Sequence, residues 1–223
     1  MSADRFKNRQ LYTMGFMILC LILPVFLLAQ EKTPEFNTLF GTTGALNTPS
    51  AYTLAKSEGR VGIFENLVID EYDVLIFDYG IAERVEIGIQ SDVPSKPDSK
   101  VWFFFKVQAN EQGKLLGAES KFIPALAFGM NKNGTFAVVS YRFSSLCISI
   151  GYNFSKPEWP VFGHVNIQLL KTIALQLEYI NNMITGAIRC RYKHMIFSLI
   201  YNHDITQQAF NSENTFVEIT YVF

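Results

Sequence analysis

Thr215-Phe-Val-Glu-Ile-Thr-Tyr-Val-Phe223 is the last stretch of the chain. Successive side chains of an extended segment point to opposite sides, so Val217, Ile219, Tyr221 and Phe223 share one face while Glu218 lies on the other. The same period of two recurs upstream. Val85, Ile87 and Ile89 oppose Glu86, Gly88 and Gln90, and Val101, Phe103, Phe105 and Val107 oppose Lys106 and Gln108. Val161, Val165, Ile167 and Leu169 oppose His164, Asn166 and Gln168; Ile173, Leu175, Leu177 and Tyr179 oppose Gln176 and Glu178; and Ile188 and Tyr192 oppose Arg189, Arg191 and Lys193. The longest unbroken apolar run after Ala29, about Phe122 to Met130, is far shorter than a helical membrane span requires.

Counting such segments predicts twelve strands. The first six run Gly59 to Leu67, Val74 to Ile81, Val85 to Val93, Val101 to Gln108, Phe122 to Met130 and Phe136 to Phe143. The second six run Leu146 to Phe154, Val161 to Leu169, Ile173 to Ile180, Thr185 to Lys193, Met195 to Tyr201 and Thr215 to Phe223. A soluble sandwich would alternate too, but it has no need of aromatic residues at its strand ends. Here Tyr79, Phe143, Tyr152, Tyr179, Tyr192 and Tyr201 fall at or near strand termini, where an amphipathic ring suits a bilayer interface. The expected fold is therefore all-β, an antiparallel transmembrane β-barrel of about twelve strands, an even number that puts both barrel ends on one side of the membrane. Short connections at Ala82 to Arg84, Ser144 to Ser145, Lys171 to Thr172 and His194 fit the periplasmic side. Longer ones at Asp92 to Ser99, Ser155 to Glu158 and Asp204 to Asn214 fit the outside. Ala109 to Lys121 is an exception, long yet on the periplasmic side, and signals either a miscounted strand or an excursion; Pro124 signals a bulge or bend. The C-terminal segment, with Tyr221 and Phe223, resembles the β-signal read by the outer-membrane barrel assembly machinery.

The N-terminus reads as a secretory signal. Arg5, Lys7 and Arg9 precede an uncharged apolar stretch from Met14 to Ala29, which implies removal of residues 1–29. Residues 30–58 form an N-terminal segment, with Phe36 to Lys56 rich in Gly, Thr, Ser and Asn and able to enter the lumen of a barrel spanning 59–223. The 223 residues carry 19 basic and 20 acidic side chains, a balance that supplies no basic stripe for phosphates and excludes nucleic acid as an expected partner. Beyond the signal, only Cys147 and Cys190 remain, on opposite phases of their strands, so no disulfide is expected.

The phase assignment sends Asp78, Glu86, Lys106, Arg142, His164, Gln176, Glu178, Arg189, Arg191 and Glu218 to the lumen. Both signs are present. A satisfied polar interior, with Glu178 and Arg189 paired across neighbouring strands, is one reading; a basic wall of Arg189 and Arg191 that selects anions is the other. His164 is the only mid-strand histidine and has no serine with a defined partner. Neither a metal-ligand cluster nor a Gly-rich phosphate loop is present in the sequence, so no catalytic residue, metal or cofactor is expected.

Three passages resemble the YjbH-like family of outer-membrane β-barrels associated with exopolysaccharide and capsule secretion. They are Gly41-Thr-Thr-Gly-Ala-Leu-Asn-Thr-Pro-Ser-Ala51, Tyr79-Gly-Ile-Ala-Glu-Arg-Val-Glu-Ile-Gly88 and Phe122-Ile-Pro-Ala-Leu-Ala-Phe-Gly129. The resemblance implies a non-enzymatic barrel of a Gram-negative outer membrane that assists export or assembly of an envelope polysaccharide, with outer-membrane lipid, the barrel assembly machinery and polysaccharide export components as partners. It carries over one motif, with Gly41, Gly44, Asn47 and Pro49, as a structural or lumen-contacting segment. The alternatives are a general small-solute diffusion channel, an embedded lipid-modifying enzyme and a periplasmic β-sandwich binding module tethered by an uncleaved N-terminus.

Overall fold

A computed structural model describes residues 36–37, 43–44, 48–67, 74–92, 100–115, 117–158, 160–204 and 215–223. The expected signal peptide and the motif residues Gly41 and Asn47 lie outside them. Among the described residues there is no helix, and twelve antiparallel strands form one closed barrel. They are β1 (Gly59–Asn66), β2 (Val74–Ala82), β3 (Val85–Asp92), β4 (Val101–Asn110), β5 (Ala125–Asn131) and β6 (Gly134–Phe143), followed by β7 (Leu146–Asn153), β8 (Val161–Leu170), β9 (Ile173–Ile180), β10 (Met183–Tyr192), β11 (Met195–Asp204) and β12 (Thr215–Val222). Each strand pairs with its neighbours in sequence, and β12 returns to β1 from Phe216↔Asn66 to Val222↔Arg60. Among the described residues, closure leaves the barrel itself no edge strand with unpaired backbone groups. Gly59 and Phe223 exchange backbone hydrogen bonds at 3.0 and 2.9 Å, which marks the near end of the barrel.

Alternation is strict through most of the wall. In β1 the order is buried, exposed, buried from Arg60 onward, with Val61 and Ile63 outside and Phe64 and Asn66 inside. Outside, apolar side chains dominate: Phe77, Ile87, Phe103, Phe105, Ile150, Leu177, Ile188 and Phe197 are all exposed. Aromatic residues gather at both ends of this wall. Tyr141 and Phe143 lie 4.3 Å apart, and Tyr221 and Phe223 6.3 Å apart, toward the near end, whereas Tyr152 and Phe154 sit 5.3 Å apart at the far end.

Several strands depart from their expected bounds for local reasons. β5 begins at Ala125, not Phe122, because Pro124 has no N–H to give a ladder; its carbonyl instead accepts from Asn110 Nδ2 at 2.8 Å. β10 starts at Met183, two residues earlier than its alternation suggested. Asn181 and Asn182 both have positive φ, 50° and 59°, the conformation of a tight hairpin turn that asparagine tolerates. The long near-end connection is an excursion, not a missed barrel strand. It contains a small hairpin, Lys114–Leu115 against Ala118–Glu119. Arg84 Nη2 holds its base through Glu111 at 2.8 Å, and that hydrogen bond, followed by the guanidinium charge, keeps the Glu111 carboxyl below its usual range. Register shifts occur in β2, β4 and β8, all at near-end termini.

Three inward glycines are covered by phenylalanine rings from the adjacent strand. Gly88 pairs with Phe104, Gly129 with Phe136 and Gly151 with Phe162. A Cβ on Gly88 would stand 2.1 Å from Phe104 Cζ and 2.2 Å from the Phe77 carbonyl oxygen. On outward Gly186 it would meet nothing within 4 Å. Gly88→Ala is expected to cost about 1–3 kcal/mol by overpacking, while Gly186→Ala stays within about 0.5 kcal/mol of the parent. Urea unfolding of both variants checks the contrast.

Candidate functional site

The lumen is the candidate site, and two apolar clusters interrupt its polar lining, with their phenylalanines toward the far end. Phe64, Val74, Ile76, Phe104, Ala187 and Ile200 form one buried cluster with Phe216 against it. Phe136, Phe162, Val138, Ala125 and Ala127 form a second, joined by Ala51 and flanked by Tyr52 and Ile180.

Charged groups occupy the middle. Lys106 Nζ lies 3.1 Å from Glu86 Oε1, both side chains fully buried. Arg189 Nη2 lies 3.6 Å from Glu218 Oε2, also fully buried, with the Glu178 charge within reach. Glu218 further accepts from Ser198 Oγ and from Thr220 Oγ1 at 2.9 Å. Arg60 bonds Glu58 at 2.6 Å and sits opposite Asp78 across β1 and β2. Asp78 is fully buried, and neither of its oxygens meets a hydrogen-bond donor among the described residues. The surrounding charges are Arg60, Lys106, Glu86 and Glu58.

Chain from the N-terminal segment occupies the space between these walls. Thr48, Ser50, Ala51 and Leu54 are almost completely buried. Leu54 N donates to Glu86 Oε2 at 3.0 Å, and Ala51 N donates to Ser140 Oγ at 2.7 Å. Tyr52 OH donates to Gln112 Oε1 at 2.7 Å, and the Arg142 guanidinium stacks 4.0 Å over the Tyr52 ring. Burial pushes the Tyr52 phenol above its ordinary value. Thr48 Oγ1 donates to Glu178 Oε2 at 3.0 Å and lies 2.8 Å from His164 Nδ1. Its one proton being committed to Glu178, the hydroxyl accepts from His164, so Nδ1 is the protonated nitrogen. Gly44 bridges to Pro49, and a Cβ on Gly44 would stand 2.3 Å from the Thr48 carbonyl oxygen, so this doubling-back requires glycine.

Most residues assigned to the lumen by alternation lie there: Asp78, Glu86, Lys106, His164, Gln176, Glu178, Arg189 and Glu218 are buried. Arg142 is half-buried at the near mouth. Arg191 is a correction to the basic-wall reading. It sits half-buried at the near rim, where its Nε points to the Lys193 carbonyl at 3.4 Å. Arg189 meanwhile is balanced by carboxylates, so the two arginines do not make a cationic surface. Tyr221 and Phe223 face outward, with the Phe223 ring lying where a Gly59 Cβ would be. Cys147 and Cys190 are free thiols. Alternation alone did not single out Arg60, Ser140 or Ser198, although each occupies an inward phase. Tyr52 and Thr48 precede the first strand, where period-two reasoning has no purchase.

The chemistry open to this interior is limited. A nucleophilic triad places imidazole between hydroxyl and carboxylate, whereas here the Thr48 hydroxyl lies between His164 and Glu178. With its proton on Nδ1, His164 donates to that hydroxyl. Among the described residues no three His, Cys, Asp or Glu side chains gather as a metal site. No family model, no curated protein and no solved structure matches the chain. Fold and site together define a closed twelve-stranded antiparallel β-barrel with a folded-in segment hydrogen-bonded to its inner wall.

Lys106→Met strands a buried carboxylate and is expected to cost about 3–5 kcal/mol. Adding Glu86→Gln keeps an acceptor for Leu54 N and removes the uncompensated charge, so the double variant recovers most of the loss. A double-mutant cycle from urea unfolding measures the recovery.

Proposed function

We propose that the chain is an outer-membrane β-barrel, occupied in its lumen at rest, that assists export or assembly of an envelope polysaccharide. One observation carries the membrane part: the barrel is inside out relative to a water-soluble one. Its exposed wall is apolar, with Phe103 74% exposed, while Arg189, Lys106 and Glu86 are fully enclosed. Water gives no return for an arrangement that exposes phenylalanine and buries ion pairs; hydrocarbon does. Strands of eight to ten residues, which include most of those here, tilted by about 40°, rise roughly 20–25 Å, close to the apolar band of such barrels. The two aromatic ends suit the headgroup levels, and the near end, with both barrel termini, suits the periplasmic side. A signal sequence over residues 1–29 supports the same route.

The polysaccharide part rests on the resemblance of Gly41 to Ala51 to the YjbH-like family. Two residues of that motif, Gly44 and Pro49, make the bridge that folds the segment into the lumen. An always-open diffusion channel is less well supported, because phenylalanine clusters and the inserted segment occupy the interior.

Membrane fractionation and unboiled electrophoresis test the first part. The protein is expected in the outer membrane as a heat-modifiable band; a soluble protein with no mobility shift would refute the barrel in lipid. Deleting the gene is expected to lower cell-surface polysaccharide, and unchanged polysaccharide would remove the export role while leaving the barrel intact.

A further inference from the structure

The inner wall has two chemical sectors. Among the described residues, inward charged side chains concentrate on β1–β4, β10 and β12. On strands β6–β9 the polar inward groups are mainly hydroxyls and amides, beside Phe136, Val138 and Phe162, with Glu178 in mid-lumen and Arg142 at the mouth. The inserted segment leans on this neutral sector through Ser140, His164, Glu178 and Gln176, the last donating to the Gly44 carbonyl at 3.4 Å.

On β8 and β9 the inward pairs follow one another like rungs. His164 faces Glu178, and Asn166 faces Gln176 one rung nearer the mouth, with Gln168 beyond them. The Thr48 hydroxyl fills the first rung. At the next two, the side-chain carbonyls of Asn166, Gln176 and Gln168 have no donor among the described residues, although these residues are only 6%, 5% and 4% exposed. Buried carbonyls call for donors, and the first rung is met by an alcohol. The segment that supplies it is rich in alcohols: Thr48, Ser50, Tyr52 and Thr53 lie within six residues, and Thr53 Oγ1 reaches Gln108 Oε1 at 3.4 Å.

We infer that the β8–β9 ladder is a binding face for an uncharged polyhydroxylated chain, a neutral glycan segment, and that Thr48 stands in for one of its hydroxyls. The inference rests on the reading of the lumen as a polymer's path. Amide carbonyls accept from alcohols without demanding a charge, whereas the ionised carboxylates of an anionic chain have no proton to give them. Such a ligand competes with the segment for the same acceptors, so binding releases the segment from the wall. Water offers the same O–H chemistry, and the experiment separates the two.

The test uses the purified, folded full-length barrel carrying Ser50→Cys, with its own cysteines replaced by serine. Ser50 is 1% exposed, so maleimide labelling is expected to be slow. Neutral dextran oligosaccharide is expected to raise the labelling rate about tenfold, the signature of a ligand-shifted equilibrium. Oligogalacturonate, an anionic oligosaccharide, is expected to leave the rate unchanged, and Gln176→Leu to abolish the dextran effect. Thr48→Val is expected to speed labelling without any sugar. No response to dextran in a protein that keeps its heat-modifiable band means that water alone meets the carbonyls, and overturns the inference. An equal response to oligogalacturonate overturns the ligand class, a response that survives Gln176→Leu overturns the location, and slow labelling of Thr48→Val overturns the stand-in role. Because labelling is read on isolated protein, these outcomes are independent of whether surface polysaccharide depends on the gene.

Discussion

Each strand hydrogen-bonds two neighbours, and β12 hydrogen-bonds β1; the remainder of the structure depends on that ring being complete. A backbone amide removed from water must be paired, and an open sheet would leave two rows of amides unpaired. Once the ring closes, the period of two divides the side chains between an enclosed space and an outer wall. Twelve strands leave more interior than a small barrel of about eight, which side chains alone can fill. Here the difference is made up by phenylalanine in the far half, by ion pairs in the middle and by the chain around Thr48 to Leu54.

The enclosed charges behave as sets, not as single groups. Glu86 serves Lys106 and the Leu54 amide together, so the wall and the inserted segment share one carboxylate. Glu178 and His164 likewise converge on one threonine hydroxyl. Burying ions is unfavourable unless their remaining hydrogen-bonding capacity is used. Insertion of the segment and stabilisation of the wall are for that reason coupled, and the position of the segment is set by partners on β3, β6, β8 and β9.

Alternation carried much information about this fold because one face of each strand meets polar groups and the other does not. That contrast places Glu86, Lys106, Glu178 and Glu218 inside from sequence alone. It fails where no sheet face exists to be read. Pro124 stands in an apolar run whose first residues belong to a connection, and hydrophobicity does not register the missing N–H. Asn181 and Asn182 fell in the expected connection, but alternation alone began the next strand at Thr185 and missed Met183 and Ile184. Phase also says nothing about depth: Arg189 and Arg191 share a face, yet one is enclosed by carboxylates and the other lies at the rim. The contacts of Thr48, Ala51 and Tyr52 join residues distant in sequence, and no local pattern encodes them.

Pairing the first barrel strand with the last also governs how the molecule can form. Arg60 meets Val222 only after every intervening hairpin has been made, so the closing ladder has the largest sequence separation of any strand pair in the barrel. Neighbouring hairpins can form early and locally, whereas the seam must wait for a long loop entropy to be overcome. Until then β1 and β12 are both adhesive edges, able to join another chain as readily as each other. The slow and vulnerable step in the life of this protein is thus the zipping of one seam, and a factor that holds the β12 edge until β1 arrives would act on the rate of folding without changing the final fold.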